Sequence, residues 1–349
     1  MSTRRPWLIP FTPLYNLVVA TKRQFYAWGW LKKRWLQAPV ISVGSVSAGG
    51  AGKTPFVALL AQLLRGRGYA VSILTRGYGR TSEVVEQVEP YDDPRWHGDE
   101  PVLLAQRSKV PVFAGADRYE AGMLAERTDL KRNGRVAVHL LDDGFQHLRL
   151  GRNVDIVLLT AEDVEDVLLP AGNLRESVAT AGKAQIVVVR EEEEAKLREE
   201  LVELRGEGSE FATWVIRRSL ILLDGEMQTF LPTMPLAFCG IARPENFTRM
   251  LTGARYEPIE TMAFADHHPY REDDMTRLVE RAERVGANGF VTTEKDAVKI
   301  TPQMREQLGK IGPLIVARLK VELVNEKEAF GQLVSLIGEM DRRRNRPPR

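Results

Sequence analysis

The sequence predicts an α/β protein: a doubly wound, mostly parallel sheet of the phosphate-loop type, with a second, smaller α/β domain joined through a β-hairpin linker. Three observations predict it. From Pro39 onward, short β-branched runs alternate with amphipathic segments, the pattern of buried parallel strands and crossover helices. A glycine-rich loop ending in Lys-Thr stands between the first such run and a helical segment. Residues 219–230, SLILLDGEMQTFL with its flank, read as two short strands about an Asp224-Gly225 turn. At 349 residues, 44% apolar and 28% charged, the chain is longer than one core usually supports and is neither collagen-like nor disordered.

The elements follow in order. Residues 14–36 read as one helix entered after Pro13, with Val18, Phe25, Trp28 and Trp35 along one face and Lys22, Lys32 and Lys33 beside it. Residues 1–82 hold twelve Lys or Arg and no Asp or Glu, so the rest of the chain is net acidic. An aromatic, basic, acid-free helix suits a membrane surface; it equally suits a terminal helix packed on its own domain. Runs at 40–43, 70–74, 110–113, 136–141, 156–159 and 186–189 read as strands. Beyond the hairpin, strands are expected at 236–239, 290–292 and 314–316, and helices near 244–251 and 271–285. The domains divide as 1–36, an amphipathic membrane-surface helix; 37–215, the phosphate-loop domain; 216–230, a two-stranded linker; 231–325, the smaller α/β domain; and 326–349, a returning helix with an Arg-rich tail. No secretory signal or bilayer-spanning run is expected, and the lone Cys239 can form no internal disulfide. The basic N-terminus comes with no nucleic-acid-binding module, so no nucleic-acid partner is expected.

The strongest local signal is Ser47-Ala48-Gly49-Gly50-Ala51-Gly52-Lys53-Thr54. Glycines let the backbone turn its N–H groups toward phosphate oxygens, and the following helix adds the positive end of its dipole. Lys53 can reach the terminal phosphates, and the Thr54 hydroxyl can ligate Mg²⁺. Ser47 stands where such loops usually begin with glycine. The run at 136–141 ends in Asp142-Asp143, and carboxylates at that strand end can hold the metal. The loop implies ATP or GTP; the Asn-Lys-x-Asp signature of guanine specificity is missing, which favours ATP. Asp99 also reads as a helix cap, and Asp266-His267-His268 as a solvated turn or a metal pair.

Taken together, these motifs resemble a family. Gly-Gly-x-Gly-Lys-Thr-Pro at 49–55, Arg-Gly-Tyr-Gly at 76–79, Gly-Asp-Glu-Pro at 98–101, Asp-Asp-Gly-Phe-Gln-His at 142–147, Leu-Arg-Glu at 174–176, Asp-His-His at 266–268 and Thr-Thr-Glu-Lys-Asp-Ala-Val-Lys at 292–299 occur in the order seen in tetraacyldisaccharide 4′-kinases. The resemblance covers about residues 7–325. It implies transfer of the ATP γ-phosphate to the 4′-hydroxyl of an acylated disaccharide 1-phosphate in lipid A biosynthesis, at the cytoplasmic face of the bacterial inner membrane, where an anionic surface is a partner. It also implies Asp99 as base with His267 as its partner, Asp143 near the metal or the reacting groups, and Lys53 on the triphosphate. Glu100, Arg118, Gln146, Arg175 and Glu176 are expected at the substrate, and Thr54 and Asp142 at Mg²⁺. Two other readings of the loop remain open: a kinase for a soluble metabolite, and a membrane-recruited ATPase switch.

Overall fold

Strand β1 (Val40–Ser45) is buried along its whole length, as expected of an inner strand with helices on both faces. Alternate residues face opposite ways. Ile41 and Val43 join the large cluster that holds Phe56, Leu60 and Leu64 of the Lys53–Gly66 helix, while Val40 packs with Ala121 and Ala125 of the Arg118–Asp129 helix. The structure, a computed structural model, describes residues 5–129, 134–206, 210–223 and 231–344.

The remaining strands of the first half are β2 (Ala70–Thr75), β3 (Glu86–Val88), β4 (Val112–Ala114), β5 (Ala137–Asp142), β6 (Val154–Leu158) and β7 (Ile186–Arg190). They lie in the order β7-β6-β1-β5-β2-β4-β3, all parallel except the short edge strand β3. The second half adds β8 (Ala212–Leu223), β9 (Pro235–Cys239), β10 (Glu260–Ala263), β11 (Gly289–Thr293) and β12 (Leu314–Leu323). One twelve-stranded sheet runs through both halves among the described residues. Strand β8 joins them: it pairs parallel with β7 at residues 212–216 and antiparallel with β12 at 216–223. The expected hairpin turn at Asp224-Gly225 and its second strand lie outside the described residues, as does the end of the Arg-rich tail. The Glu326–Arg344 helix does return to the first half, placing Ala329, Leu333 and Ile337 in the large cluster.

The N-terminal helix differs from expectation. It spans Thr12–Ala27 and stops there, because Gly29 takes the left-handed conformation (φ 77°) that ends helices. Trp35 is therefore not on the helical face; its ring lies against Gly151, where an added Cβ would come within 2.2 Å of it.

Another glycine bears on the site. A Cβ on Gly44 of β1 would stand 2.5 Å from Phe145 Cβ and 2.9 Å from its backbone nitrogen. Gly44→Ala must push the Asp143–Gln146 segment away from β1. It is expected to lower stability by about 1–3 kcal/mol, read as a fall in Tm. An unchanged Tm would mean that the two segments part freely.

Candidate active site

The loop between β1 and the Lys53–Gly66 helix is shaped by glycine. Gly49, Gly50 and Gly52 all have φ between 77° and 87°, where a side chain would strain the backbone. The loop is anchored at its entry: the Ala48 N–H donates to the Asn173 carbonyl (2.9 Å), and the Ser47 carbonyl accepts from Arg175 Nη2 (2.8 Å) and Nε (3.1 Å). Ser47 is buried, and the Ala51 methyl packs into the core, so both shape the loop from behind. Thr54 is half-buried at the helix start, where the first N–H groups have no intrahelical partner.

Lys53 Nζ donates to Ser45 Oγ (3.1 Å) and lies 3.5 Å from Asp143 Oδ1. Asp143 is held from the other side by both terminal nitrogens of Arg175 (2.8 and 2.7 Å), and its own backbone is left-handed (φ 48°). Burial opposes its charge, but Lys53 and Arg175 outweigh that and hold its carboxyl well below the usual range. Asp142, the last residue of β5, is almost fully buried, and Thr75 Oγ1 donates to it (3.0 Å). Burial, then Glu100 and Asp143, push its pKa up to about 7, against the opposing pull of Lys53. Adjacent carboxylates thus differ: one has cations against it, and the other is a buried acid short of positive charge.

The second cluster joins the halves of the chain. Gly98 (φ 92°) lets the backbone turn into the Asp99–Ser108 helix, whose first residue, Asp99, is only 5% exposed. His267 Nδ1 lies 3.1 Å from each Asp99 carboxylate oxygen, and the Glu100 N–H donates to Oδ1 (2.9 Å). Lys299 Nζ is 3.9 Å from Asp99 and 2.8 Å from Asp296. Burial opposes ionisation of Asp99, yet the His267 hydrogen bond and the two lysines, Lys295 and Lys299, bring its pKa below the usual value. Donating a hydrogen bond to Asp99 raises the pKa of His267 against burial. His268 takes no part here; its Nε2 pairs with Asp274 (2.9 Å), and its N–H closes the turn at 266–267 on the Ala265 carbonyl (3.1 Å).

The expected substrate residues separate into two groups. Arg118, Gln146 and Arg175 line a cavity of about 740 Å³ together with Asp143 and with Lys22, Lys32 and Arg34 from the N-terminal segment. Arg76 and Arg149 add to its basic wall. Burial, followed by Arg76, brings the Arg118 pKa down to about 10, so it remains charged at neutral pH. Glu100 and Glu176 lie elsewhere. Glu100 pairs with Lys295 (3.2 Å), and Glu176 is buried against Arg23, tying the N-terminal helix to the segment that carries Arg175. Lys295, Lys299, Arg76 and Thr75 were given no role by sequence reasoning. For Lys295, Lys299 and Arg76 the only signal was membership of the quoted motifs, and Thr75 had none; Lys295 and Lys299 stand four apart, the spacing that puts both on one helical face.

The comparisons with known proteins fit this geometry. The family described as Tetraacyldisaccharide-1-P 4′-kinase (LpxK) matches residues 4–337. The chain belongs to that family. Curated LpxK-family relatives include the tetraacyldisaccharide 4′-kinase of Koribacter versatilis, 36% identical over 94% of this chain and 98% of that protein. The enzyme of the same name from Geobacter metallireducens is 36% identical over 90% of this chain and 92% of that one. Among solved structures, LpxK from Aquifex aeolicus in complex with ATP superposes with a TM-score of 0.73 at 31% identity, covering 95% of this chain and 99% of that one. The family's fold is the mostly parallel α/β sheet described above.

Proposed function

We propose that this LpxK-family chain transfers the γ-phosphate of ATP to the 4′-hydroxyl of tetraacyldisaccharide 1-phosphate. The observation that carries the reading is the convergence of a phosphate-binding loop, a carboxylate pair at the end of β5 with Asp142 buried, and an ionised Asp99 paired with His267. A switch ATPase has no use for a base aimed at a sugar hydroxyl. A kinase for a soluble metabolite has no use for the exposed apolar face at the N-terminus.

Phosphoryl transfer asks mainly for positioning and charge stabilisation. Gly49, Gly50, Gly52 and Lys53 cradle the triphosphate. Arg175 and Lys53 fix Asp143 beside the reacting groups, and Asp99 accepts the hydroxyl proton as the bond to phosphorus forms. Arg118, Arg175 and Gln146 meet the anionic head of the acceptor in the basic cavity, where guanidinium forks suit phosphate. The test is transfer of label from γ-³²P-ATP to the purified acceptor; label released only as inorganic phosphate would favour the switch.

The donors also suit Mg²⁺. Among the described residues no cluster of three or more His, Cys, Asp or Glu could cage a metal. Mg²⁺ instead takes one or two protein oxygens, with phosphate oxygens and water completing its shell. Thr54 and Asp142 would hold it, and the bound cation would neutralise charge on the transferring phosphoryl group. Asp142, with its pKa near 7, must lose a proton to take a cation. The apparent Mg²⁺ affinity is therefore expected to fall by up to about ten-fold per pH unit below 7 and to level off above it. Titration of Mg²⁺ at fixed ATP from pH 5.5 to 8.5 checks this; a flat response would remove Asp142 from the metal. The linkage has a sign for stability too. A carboxyl whose folded pKa exceeds its unfolded value destabilises the fold above that pKa, so Asp142→Asn is expected to raise the metal-free Tm at pH 8.

A further inference from the structure

The nitrogen of His267 that faces away from Asp99 is occupied. Lys295 Nζ stands 3.0 Å from His267 Nε2, 3.2 Å from Glu100 Oε1 and 3.8 Å from Asp266 Oδ1. Burial works against the lysine's charge, but Glu100, Asp99 and Asp266 outweigh it and push its pKa up. An ammonium has only donors. The Nε2 it meets must therefore be the acceptor, and the ring's single proton sits on Nδ1, where it donates to Asp99.

The lysine is held in place. Asp296, fully buried, accepts from the Gly240 N–H (3.0 Å) and from Thr293 Oγ1 (2.7 Å), pinning the Glu294–Ala297 turn to the loop after β9. His267 is equally constrained. Its backbone is left-handed (φ 58°), with its N–H on the Gly240 carbonyl (3.1 Å). Gly240 thus fixes both partners in one frame.

We propose that Lys295 is a positioning residue of the phosphoryl transfer: by donating to His267 Nε2 it holds the imidazole neutral, with its proton on Nδ1, so that Asp99 is the proton acceptor of the pair. The inference rests on the reading of Asp99 as base. It explains why the pair does not work with histidine as base, as in a serine hydrolase, since the nitrogen that would face the substrate is already engaged. The groups facing the imidazole are Asp99 from the Asp99–Ser108 helix, Lys295 from the Glu294–Ala297 turn, Asp266 in its own loop (4.0 Å) and the Tyr78 ring, with its centroid 5.1 Å away. Lys299 lies behind Asp99. Lys295 is the cation placed against Nε2; together with burial it opposes a second proton there, against the pull of Asp99. With that proton, His267 becomes a cation hydrogen-bonded to Asp99, and the carboxylate becomes a weaker base.

The experiment is the pH profile of kcat/KM for wild type, Lys295→Met and Lys295→Arg, with ATP and the acylated disaccharide 1-phosphate. Removing the ammonium frees His267 to protonate, so in Lys295→Met the acid limb is expected to move up by about one pH unit, with activity recovering toward alkaline pH. Lys295→Arg keeps a donor at Nε2 and is expected to keep the limb near its wild-type position. A lysine with a merely structural role would lower the rate by one factor at every pH, and that result would overturn the proposal. A second measurement leaves Lys295 in place. The chain has five histidines, and ¹⁵N ring spectra assigned with His267→Gln are expected to show Nε2 of His267 unprotonated at neutral pH; a protonated Nε2 would equally overturn it. Failure of the underlying reading looks different: Asp99→Ala would then retain its rate.

Discussion

Asp99→Ala is expected to lower kcat by about 10²–10⁴-fold while leaving the KM for ATP within a few-fold of wild type. The split follows from the contacts. The Asp99 carboxylate pairs with His267 and not with Lys53, Ser45 or the 49–52 backbone, so removing it leaves the phosphate loop undisturbed. Asp99 also makes few contacts that stability depends on: His267, the following N–H and a lysine at 3.9 Å. Its lowered pKa makes it a weak base that is fully ionised at working pH. That suffices for phosphoryl transfer, whose loose transition state leaves the hydroxyl proton in place until late. Asp99→Asn sharpens the test. The amide keeps size and position but presents no anionic acceptor, so it is expected to be nearly as slow as alanine. Wild-type turnover in both variants, with the purified acceptor, would take Asp99 out of the chemistry.

The parts of the site that the sequence disclosed are those written within one turn of chain. Three glycines and a lysine in eight residues define the phosphate loop wherever the chain goes next, and Asp142 is marked by the β-branched run it ends. The interior strands were legible for the same reason: burial on both faces demands continuous apolar residues, as in β1 and β7. The edge strands β3 (Glu-Gln-Val) and β10 (Glu-Thr-Met-Ala) escape that pattern because an edge needs no such burial. Nor does any local pattern place Lys295 against His267, 28 residues away, or both against Asp99 in the other half. Local periodicity also misled. The aromatic spacing runs on to Trp35, but one left-handed glycine at 29 outweighs it, since residues beyond a reversed turn no longer share the helix axis. Adjacency in sequence also hides a difference in partner: Arg175 pairs with Asp143, while its neighbour Glu176 pairs with Arg23 of the N-terminal helix.

Leu14→Glu combined with Leu17→Glu and Trp30→Glu is expected to weaken binding to anionic vesicles by about 10³-fold without lowering Tm. Sequence alone left two fates for the N-terminal helix, and the structure bears on the choice. Of its sixteen residues only Tyr26 is buried, while Leu14, Leu17 and Val18 are more than half exposed, and Trp28 and Trp30 continue the apolar face beyond its end. A helix used as core would hide those side chains. The rings of Phe25, Trp28 and Trp30 pack against one another at tilted angles, with centroids 5.1–6.4 Å apart, and leave the patch open. No helix among the described residues is long and apolar enough to cross a bilayer. Burying one such side chain stabilises by roughly 1.5–3 kcal/mol. Three lost anchors thus total about 5 kcal/mol or more, which at 1.4 kcal/mol per decade exceeds a thousand-fold in partitioning. Deleting residues 1–36 would be a poorer test, because Leu36 is buried in the core beside Phe113 and Leu150 and its removal confounds binding with folding. Lys22 and Lys32 stand at the same time on the wall of the basic cavity. A membrane-resident acceptor would therefore present its anionic head to the site while its chains remain among the lipids. The triple variant should accordingly phosphorylate acceptor in detergent micelles at near wild-type kcat and fail on acceptor in vesicles. Equal vesicle binding by wild type and variant would refute the surface assignment, and equal loss in micelles and vesicles would mean that the helix serves the site itself.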